Sequence, residues 1–329
     1  MNTLITGGTG FIGSRLALKC LESGDAVRAL GQENSAAEAD NRQLIESRGG
    51  RVILASVTDR DRMFEVVRGV DVVYHLAAAQ HEANVPDQRF WDVNVTGTKN
   101  ILEASVKAGV KRFVHGSTIG VYGPTPEGLI TENSPLSPDN IYGVTKLAGE
   151  RLALSFSEKL PVVVIRISET YGPGDRRLLK LFKAIKKKMF FMIGGGRNLH
   201  HPIYVDDLTD ALILAASSER ALGQSLVLAG KDAFTTNEMV NVLAAELAAK
   251  VSEIRVPLPF VLFMAVLAEN LLRPMRIQPP IHRRRLDFFR KSFSFSTSKA
   301  FDHLGFLPKY TFAQGVQETA RWYREMGYL

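Results

Sequence analysis

The 329-residue chain is 45% hydrophobic and 23% charged, a balance that excludes disorder and fits one large or two modest soluble globular domains. Cys20 is the single cysteine, which rules out an intrachain disulfide and any multi-cysteine metal site; no metal is expected, and a reducing compartment suits it. The formal charge of +7 includes clusters at "KAIKKK" (183–188) and "HRRR" (282–285), open to an acidic substrate, a nucleic acid or an anionic membrane, or to plain solvated helix faces; without zinc-finger spacing or an RNA-binding aromatic signature, no nucleic-acid partner is expected.

The first strand-like run, "NTLIT" (2–6), has no basic segment or cleavage site before it, so the expected location is the cytoplasm. There follow a helix over 11–23, the strand "AVRAL", a loop and short helix to Arg48, "RVILA", a helix over 59–68, and "VDVVYHLAA". Next come helix 91–108, "RFVHGS", helix 139–158 and "VVVIRI". Apolar runs alternating with helical patterns predict strands made parallel by crossover helices, and runs such as "VVVI" predict a sheet covered on both faces. After Gly172 the rhythm changes to helices near 177–187, 206–218, 235–248, 258–272 and 312–326 with short strands between. The expected class is α/β: a Rossmann-type doubly wound parallel sheet over 1–172, then a smaller, mostly helical substrate-binding portion over 173–329, partly returning to the first domain.

"LITGGTGFIGSRLALKCL" sets Gly7, Gly10 and Gly13 between a strand and a helix whose apolar side carries Phe11 and Ile12. Glycines in that context permit a tight turn and bring backbone amides to a pyrophosphate, whose charge a helix N-terminus favours; the plain reading is a turn that serves close packing. The second strand ends at Gly31, followed by Gln32 and Glu33, so the carboxylate that usually bonds the adenine ribose is missing there. That leaves room for a 2′-phosphate, with Arg28 as its nearest cation, and NAD and NADP both stay open.

In "DNIYGVTKLAGE", Tyr142 and Lys146 stand four apart on one helix face. A free phenol, with a pKa near ~10, is a poor base at neutral pH; a lysine cation and an oxidised nicotinamide would lower it, and a fall of ~3 units corresponds to roughly 4 kcal/mol. The phenol would then exchange a proton with an alcohol while hydride leaves the same carbon. Ser117 and Thr118 end the strand "RFVHGST", where ligand crevices form, although a Ser-Thr pair there also serves ordinary turn chemistry.

"TGGTGFIG", "VVYHLAA", "NVTGTKN", "GSTIGVYG", "YGVTK" and "RISETYGPGD", in this order along nearly the whole chain, resemble the extended short-chain dehydrogenase/reductase superfamily, NAD-dependent epimerase/dehydratase group. The resemblance implies that Tyr142 is the catalytic acid/base, that Lys146 lowers its pKa and bonds the nicotinamide ribose, and that Thr118 is the hydroxyl donor, with Ser117 beside it. It implies cofactor contacts from Leu76, Ala77, Ala78, Ala79, Asn94 and Ile167, and a homodimer through helices 91–108 and 139–158. His75 reads as a satisfied core histidine, and Asn94 alternatively as a local hydrogen-bonding residue.

Three positions depart from the group. Ser56, next to Val57 in "LASVTD", stands where an aspartate usually meets the adenine. Glu169 in "RISE" stands where nucleotide-sugar members carry asparagine, and it would repel a diphosphate. His200 replaces an arginine, with Arg197 and His201 as compensating candidates. The C-terminal half is similar to the 3β-hydroxysteroid dehydrogenase branch, and its apolar run 258–272 reads as a core helix, a lid over the pocket or a peripheral membrane contact; at nine residues, "FVLFMAVLA" falls short of the ~20 that span a bilayer. The leading expectation is an NAD(P)-dependent oxidoreductase acting on a secondary alcohol or ketone. The alternatives are a nucleotide-sugar epimerase or dehydratase with a transient keto intermediate, and a non-catalytic dinucleotide sensor.

Overall fold

Alternation along each strand decides the architecture. Leu4 and Ile5, Val72 and Val73, and Val163 and Val164 are neighbours in sequence, yet members of each pair belong to different apolar clusters on opposite faces of one sheet. The computed structural model describes residues 1–80, 85–124, 128–252, 254–272 and 286–329; the basic cluster 282–285 lies outside the described residues.

In chain order the first half contains β1 (Asn2–Thr6), α1 (Phe11–Glu22), β2 (Ala26–Gly31), α2 (Ala36–Ser47), β3 (Arg51–Leu54), α3 (Arg60–Val66) and β4 (Val72–His75). It continues with α4 (Asp87–Trp91), α5 (Thr98–Ala108), β5 (Arg112–Thr118), α6 (Ile141–Ser155) and β6 (Val162–Ile167). The second half contains β7 (Thr170–Tyr171), α7 (Leu179–Lys186), β8 (Met192–Ile193), β9 (Leu199–His200), β10 (Ile203–Tyr204), α8 (Val205–Ser217), β11 (Ser225–Leu228) and β12 (Phe234–Thr235). It ends with α9 (Thr236–Glu246), β13 (Arg255–Val256), α10 (Leu258–Leu272), α11 (Asp287–Arg290), α12 (Ser298–Leu304) and α13 (Phe312–Glu325).

Seven parallel strands form the main sheet in the order β11-β6-β5-β4-β1-β2-β3. Chain direction along the sheet reverses between β1 and β4, and the crevice of an open α/β sheet forms beyond the strand ends at that point. Side chains of α1, α8 and α12 cover one face and those of α3, α5 and α6 the other. β11 joins the sheet beside β6, and α8 and α12 pack on it, so the second half supplies part of the dinucleotide-type layer. α7, α9 and α13 gather around a separate apolar cluster of Phe182, Met239, Leu243, Val316 and Tyr323, while α10 packs with Leu286 in a smaller one.

One helix departs from its expected form. Over 91–108 the backbone passes from α4 through a π-helical stretch, Asp92–Gly97, into α5. Such widened turns cluster at functional sites, and this one carries Asn94.

Candidate active site

The glycine turn after β1 is built by local necessity. Gly7 sits at φ +71°, and a Cβ there would come within 2.8 Å of the Ala77 nitrogen, so the turn closes against the end of β4 only as glycine. A Cβ on Gly13 would collide with the Gly7 carbonyl. The N-cap of α1 is Gly10, without a side-chain cap and with no acid in the first turn, which leaves that helix end open to an anion. Gly7, Gly10, Phe11, Ile12 and Gly13 all line one cleft of about 630 Å³.

Thr118, Tyr142, Lys146 and Ile167 reach the same cleft. Asn140 caps α6 by accepting from the Gly143 amide at 2.9 Å, which places Tyr142 in the first turn, at the cleft wall. Lys146, one turn on, is 3% exposed and its ammonium donates to the Gly116 carbonyl at the end of β5. Burial holds its pKa down at about 8, while the nearby Glu150 charge works the other way. Thr118 accepts from the Gly120 amide at 3.1 Å, so its own hydroxyl hydrogen is left to donate outward.

An adjoining arm of the cleft is lined by Gly31, Gln32, Ser56, Val57 and the whole Leu76–Ala79 stretch. Glu38, in the first turn of α2, lines both arms while accepting from the Asn34 amide at 2.7 Å. It supplies a carboxylate that β2 lacks. Sequence reading passes over it because it lies beyond the strand end, where the motif places the acid.

Several expected residues sit elsewhere. Arg28 does not line the cleft: its guanidinium donates to the carbonyls of Val66 (3.0 Å) and Arg68 (2.7 Å). Ser117 does line the cleft, but its hydroxyl donates to Glu150 at 2.7 Å in a buried contact, so it offers no donor to a substrate. Asn94 is 1% exposed and also lies off the cleft wall; its amide accepts from the Ala79 N–H (2.8 Å) and donates to the Ala79 carbonyl (3.2 Å) and Thr145 (3.0 Å), positioning the wall from behind. Arg197 is exposed on the glycine turn and away from the cleft. No described residue of α10 lines the cleft, so that helix is not its lid.

His75 is the satisfied core histidine its sequence setting indicated, held between Thr6 (2.7 Å) and Thr98 (2.9 Å), and burial lowers its pKa to about 3. Glu169 lines the cleft, and its carboxylate meets the buried His200 Nδ1 at 3.0 Å; His200 Nε2 turns to Thr236 at 3.1 Å. The acid therefore faces the cleft with an imidazole behind it. Arg176, Arg177 and Lys291 bring cations to the same walls, Arg177 paired to Asp175 at 2.9 Å and lying over the Phe11 ring at 5.5 Å. The cations of "GPGDRR" were legible as charges, but their convergence with Lys291, over a hundred residues later, is a tertiary event. Among the described residues no cluster of His, Cys, Asp and Glu is fit to hold a metal ion.

A family model described as the NAD dependent epimerase/dehydratase family matches residues 3–229. The chain belongs to that family. Among curated proteins, dTDP-glucose 4,6-dehydratase of Streptomyces niveus is 30% identical, over 99% of this chain and 93% of the relative. The 3β-hydroxysteroid-dehydrogenase/decarboxylase isoform 2 of Arabidopsis thaliana is also 30% identical, over 96% of this chain and 61% of that longer protein. Among solved structures, a double mutant of DesIV, a dTDP-glucose 4,6-dehydratase from Streptomyces venezuelae with NAD bound, superposes with a TM-score of 0.79 at 27% identity, covering 99% of this chain and 97% of that one. The chain is accordingly an NAD-dependent enzyme of the extended short-chain dehydrogenase/reductase type, with the expected doubly wound sheet.

Proposed function

We propose that this epimerase/dehydratase family member oxidises a secondary hydroxyl of a nucleotide-linked sugar, transiently or as its net reaction, with Tyr142 carrying the proton. The observation that carries the reading is convergence: the open N-terminus of α1, the Thr118 hydroxyl, the Tyr142 phenol and the Lys146 ammonium all meet one cleft. The glycine cradle and the bare helix end suit the pyrophosphate of NAD, and Glu38 at the adenosine arm suits a ribose hydroxyl better than a phosphate. When bound, NAD supplies a hydride acceptor.

The chain's own groups then handle the oxygen of the reacting carbon. Thr118 donates a hydrogen bond to it, since the bond its oxygen accepts from the Gly120 amide leaves the hydroxyl hydrogen available. Tyr142 removes or returns its proton, and the buried Lys146 cation stabilises the phenolate across one helical turn. Glu169 weighs against a diphosphate; Arg176, Arg177 and Lys291 stand on the same walls, paired with Asp40, Asp175 and Asp139, and would have to share their charge with it. The dTDP-glucose relatives support the sugar-nucleotide choice. The same reading carries a homodimer through α4, α5 and α6, where Trp91 and Val144 are 38% and 36% exposed.

Incubation of the protein with NAD and with dTDP- or UDP-glucose, followed by chromatography of the sugar, tests this reading. A changed sugar is the expected result, without net reduced cofactor if the oxidation is transient and with it if the oxidation is the net reaction. Turnover of an apolar secondary alcohol with stoichiometric reduced cofactor, and none of the sugar nucleotides, would replace it with the dehydrogenase reading that the steroid-type relative favours.

A further inference from the structure

Helix α10 has two apolar sides, and the described residues cover only one. Val261 and Ala265 pack with Leu286, supported by Ile193, Val256 and Phe289. On the other side Phe260, Phe263, Met264, Leu267 and Leu271 follow one another at helical spacing and are 59%, 65%, 41%, 41% and 61% exposed. The β8–β13 pair adjoins α10 through Ile193 and Val256 and carries exposed apolar side chains of its own. There the Met192 amide donates to the Ile254 carbonyl, and Phe191, Ile254 and the nearby Met189 are at least half exposed. So many exposed apolar side chains on one helix and the strand pair beneath it form a ridge that marks a place where something else docks.

The surroundings of the ridge are cationic. The segment 180–188 that leads into Met189 contains five lysines and no acid. Lys180, Lys183, Lys186 and Lys187 are exposed along α7 and its end, and Lys188 leads directly into Met189. A row of lysines beside an apolar helix is the pattern that binds anionic lipid headgroups while the apolar side enters the acyl boundary. Alternatives fit less well. A second copy docked by a two-fold axis would bring the same lysine row to both sides of the contact. The ridge is not a cover for the cleft, since no described α10 residue lines it. Nor does α10 cross a bilayer, because no helix among the described residues is long and apolar enough.

We infer that α10, with the β8–β13 edge and the lysines of α7, is a docking face that lies in the surface of an anionic phospholipid bilayer. Residues 286–293 join this face to the cleft: Leu286 and Phe289 pack under α10, while Lys291 and Phe293 line the cleft. The inference does not depend on the sugar-nucleotide reading.

Co-sedimentation of the purified full chain with extruded vesicles tests it, using phosphatidylcholine alone and an equal mixture with phosphatidylglycerol. Binding to the mixed vesicles should exceed binding to the neutral ones by about tenfold or more and should weaken in high salt. The double variant Phe263→Glu, Leu267→Glu should lose binding while its melting temperature and NAD affinity stay at wild-type values, since both side chains face solvent. Lys186→Glu with Lys187→Glu should remove the salt-sensitive part. Failure of the wild type to bind either vesicle overturns the inference, as does equal binding by the Phe263→Glu, Leu267→Glu variant. A concentration-dependent dimer abolished by that variant, without vesicle binding, would assign the ridge to a second copy instead.

Discussion

The side-chain amide of Asn94 grips both backbone polar atoms of Ala79, accepting from its N–H at 2.8 Å and donating to its carbonyl at 3.2 Å. The π-helical stretch that presents Asn94 thereby fixes the Leu76–Ala79 wall of the cleft and ties it to Thr145 on α6. Asn94→Ala strands two buried backbone groups, which costs about 2 to 3 kcal/mol. A lowered melting temperature together with weaker NAD binding by titration calorimetry is expected. Stability loss with unchanged NAD affinity would limit Asn94 to a structural role.

Lys146 makes stability pH-dependent in a defined window. Its folded-state pKa is about 8, against 10.5 for a free lysine, because it is buried. Between those values the unfolded chain binds more protons than the folded one, so stability rises with pH there; below about 8 both states are protonated and the contribution is flat. The full rise is on the order of 3 kcal/mol. Urea unfolding of wild type and Lys146→Met from neutral pH to beyond 10.5 checks it: the wild type should gain on the variant across that window.

The buried pair of Arg166 and Glu150 is a second stake in stability. The two are joined at 2.7 Å and are 5% and 2% exposed, with Ser117 also donating to Glu150 and Arg166 to Tyr122. Burial alone would lower the Arg166 pKa, but hydrogen bonding and charge from Glu150 carry it upward. Glu150→Ala leaves a buried cation without its partner and should cost about 3 to 5 kcal/mol in denaturant unfolding. Replacing both residues by apolar ones should cost much less.

Glu38 should set cofactor choice. Glu38→Gln keeps an oxygen acceptor for the Asn34 amide but removes the charge from the cleft arm proposed to hold the adenosine. NAD should be preferred over NADP by the wild type, and that ratio should fall by about tenfold in the variant, a change of ~1.4 kcal/mol. Equal ratios in the two proteins would remove Glu38 from the assignment.

What the sequence disclosed followed the range of its signals. The β1–Gly7–Gly13–α1 turn is a local code, since the residues that must be glycine are set by their own neighbours, and it was legible. So was the shared face of Tyr142 and Lys146, a matter of helical spacing. "VVVIRI" read as a plain apolar strand because nothing local reveals that Arg166 meets Glu150 under the sheet. Arg28 and Ser117 looked suitable by position, yet strand pleat and burial sent their polar atoms to Val66, Arg68 and Glu150. The two-residue strands of the second half owe their existence to tertiary pairing. Whether 258–272 faced core or solvent depended on which of its two apolar stripes found partners.

The proposed proton-carrying role of the Tyr142 phenol, which lines the cleft together with Lys146, is tested most directly by rapid mixing. Wild type and Tyr142→Phe, each loaded with NAD, would be mixed with a turned-over sugar nucleotide while reduced-nicotinamide absorbance is followed. The account predicts equal NAD affinity and hydride transfer slowed by about 10²- to 10⁴-fold in the variant. Hydride transfer at the wild-type rate without the phenol would contradict it.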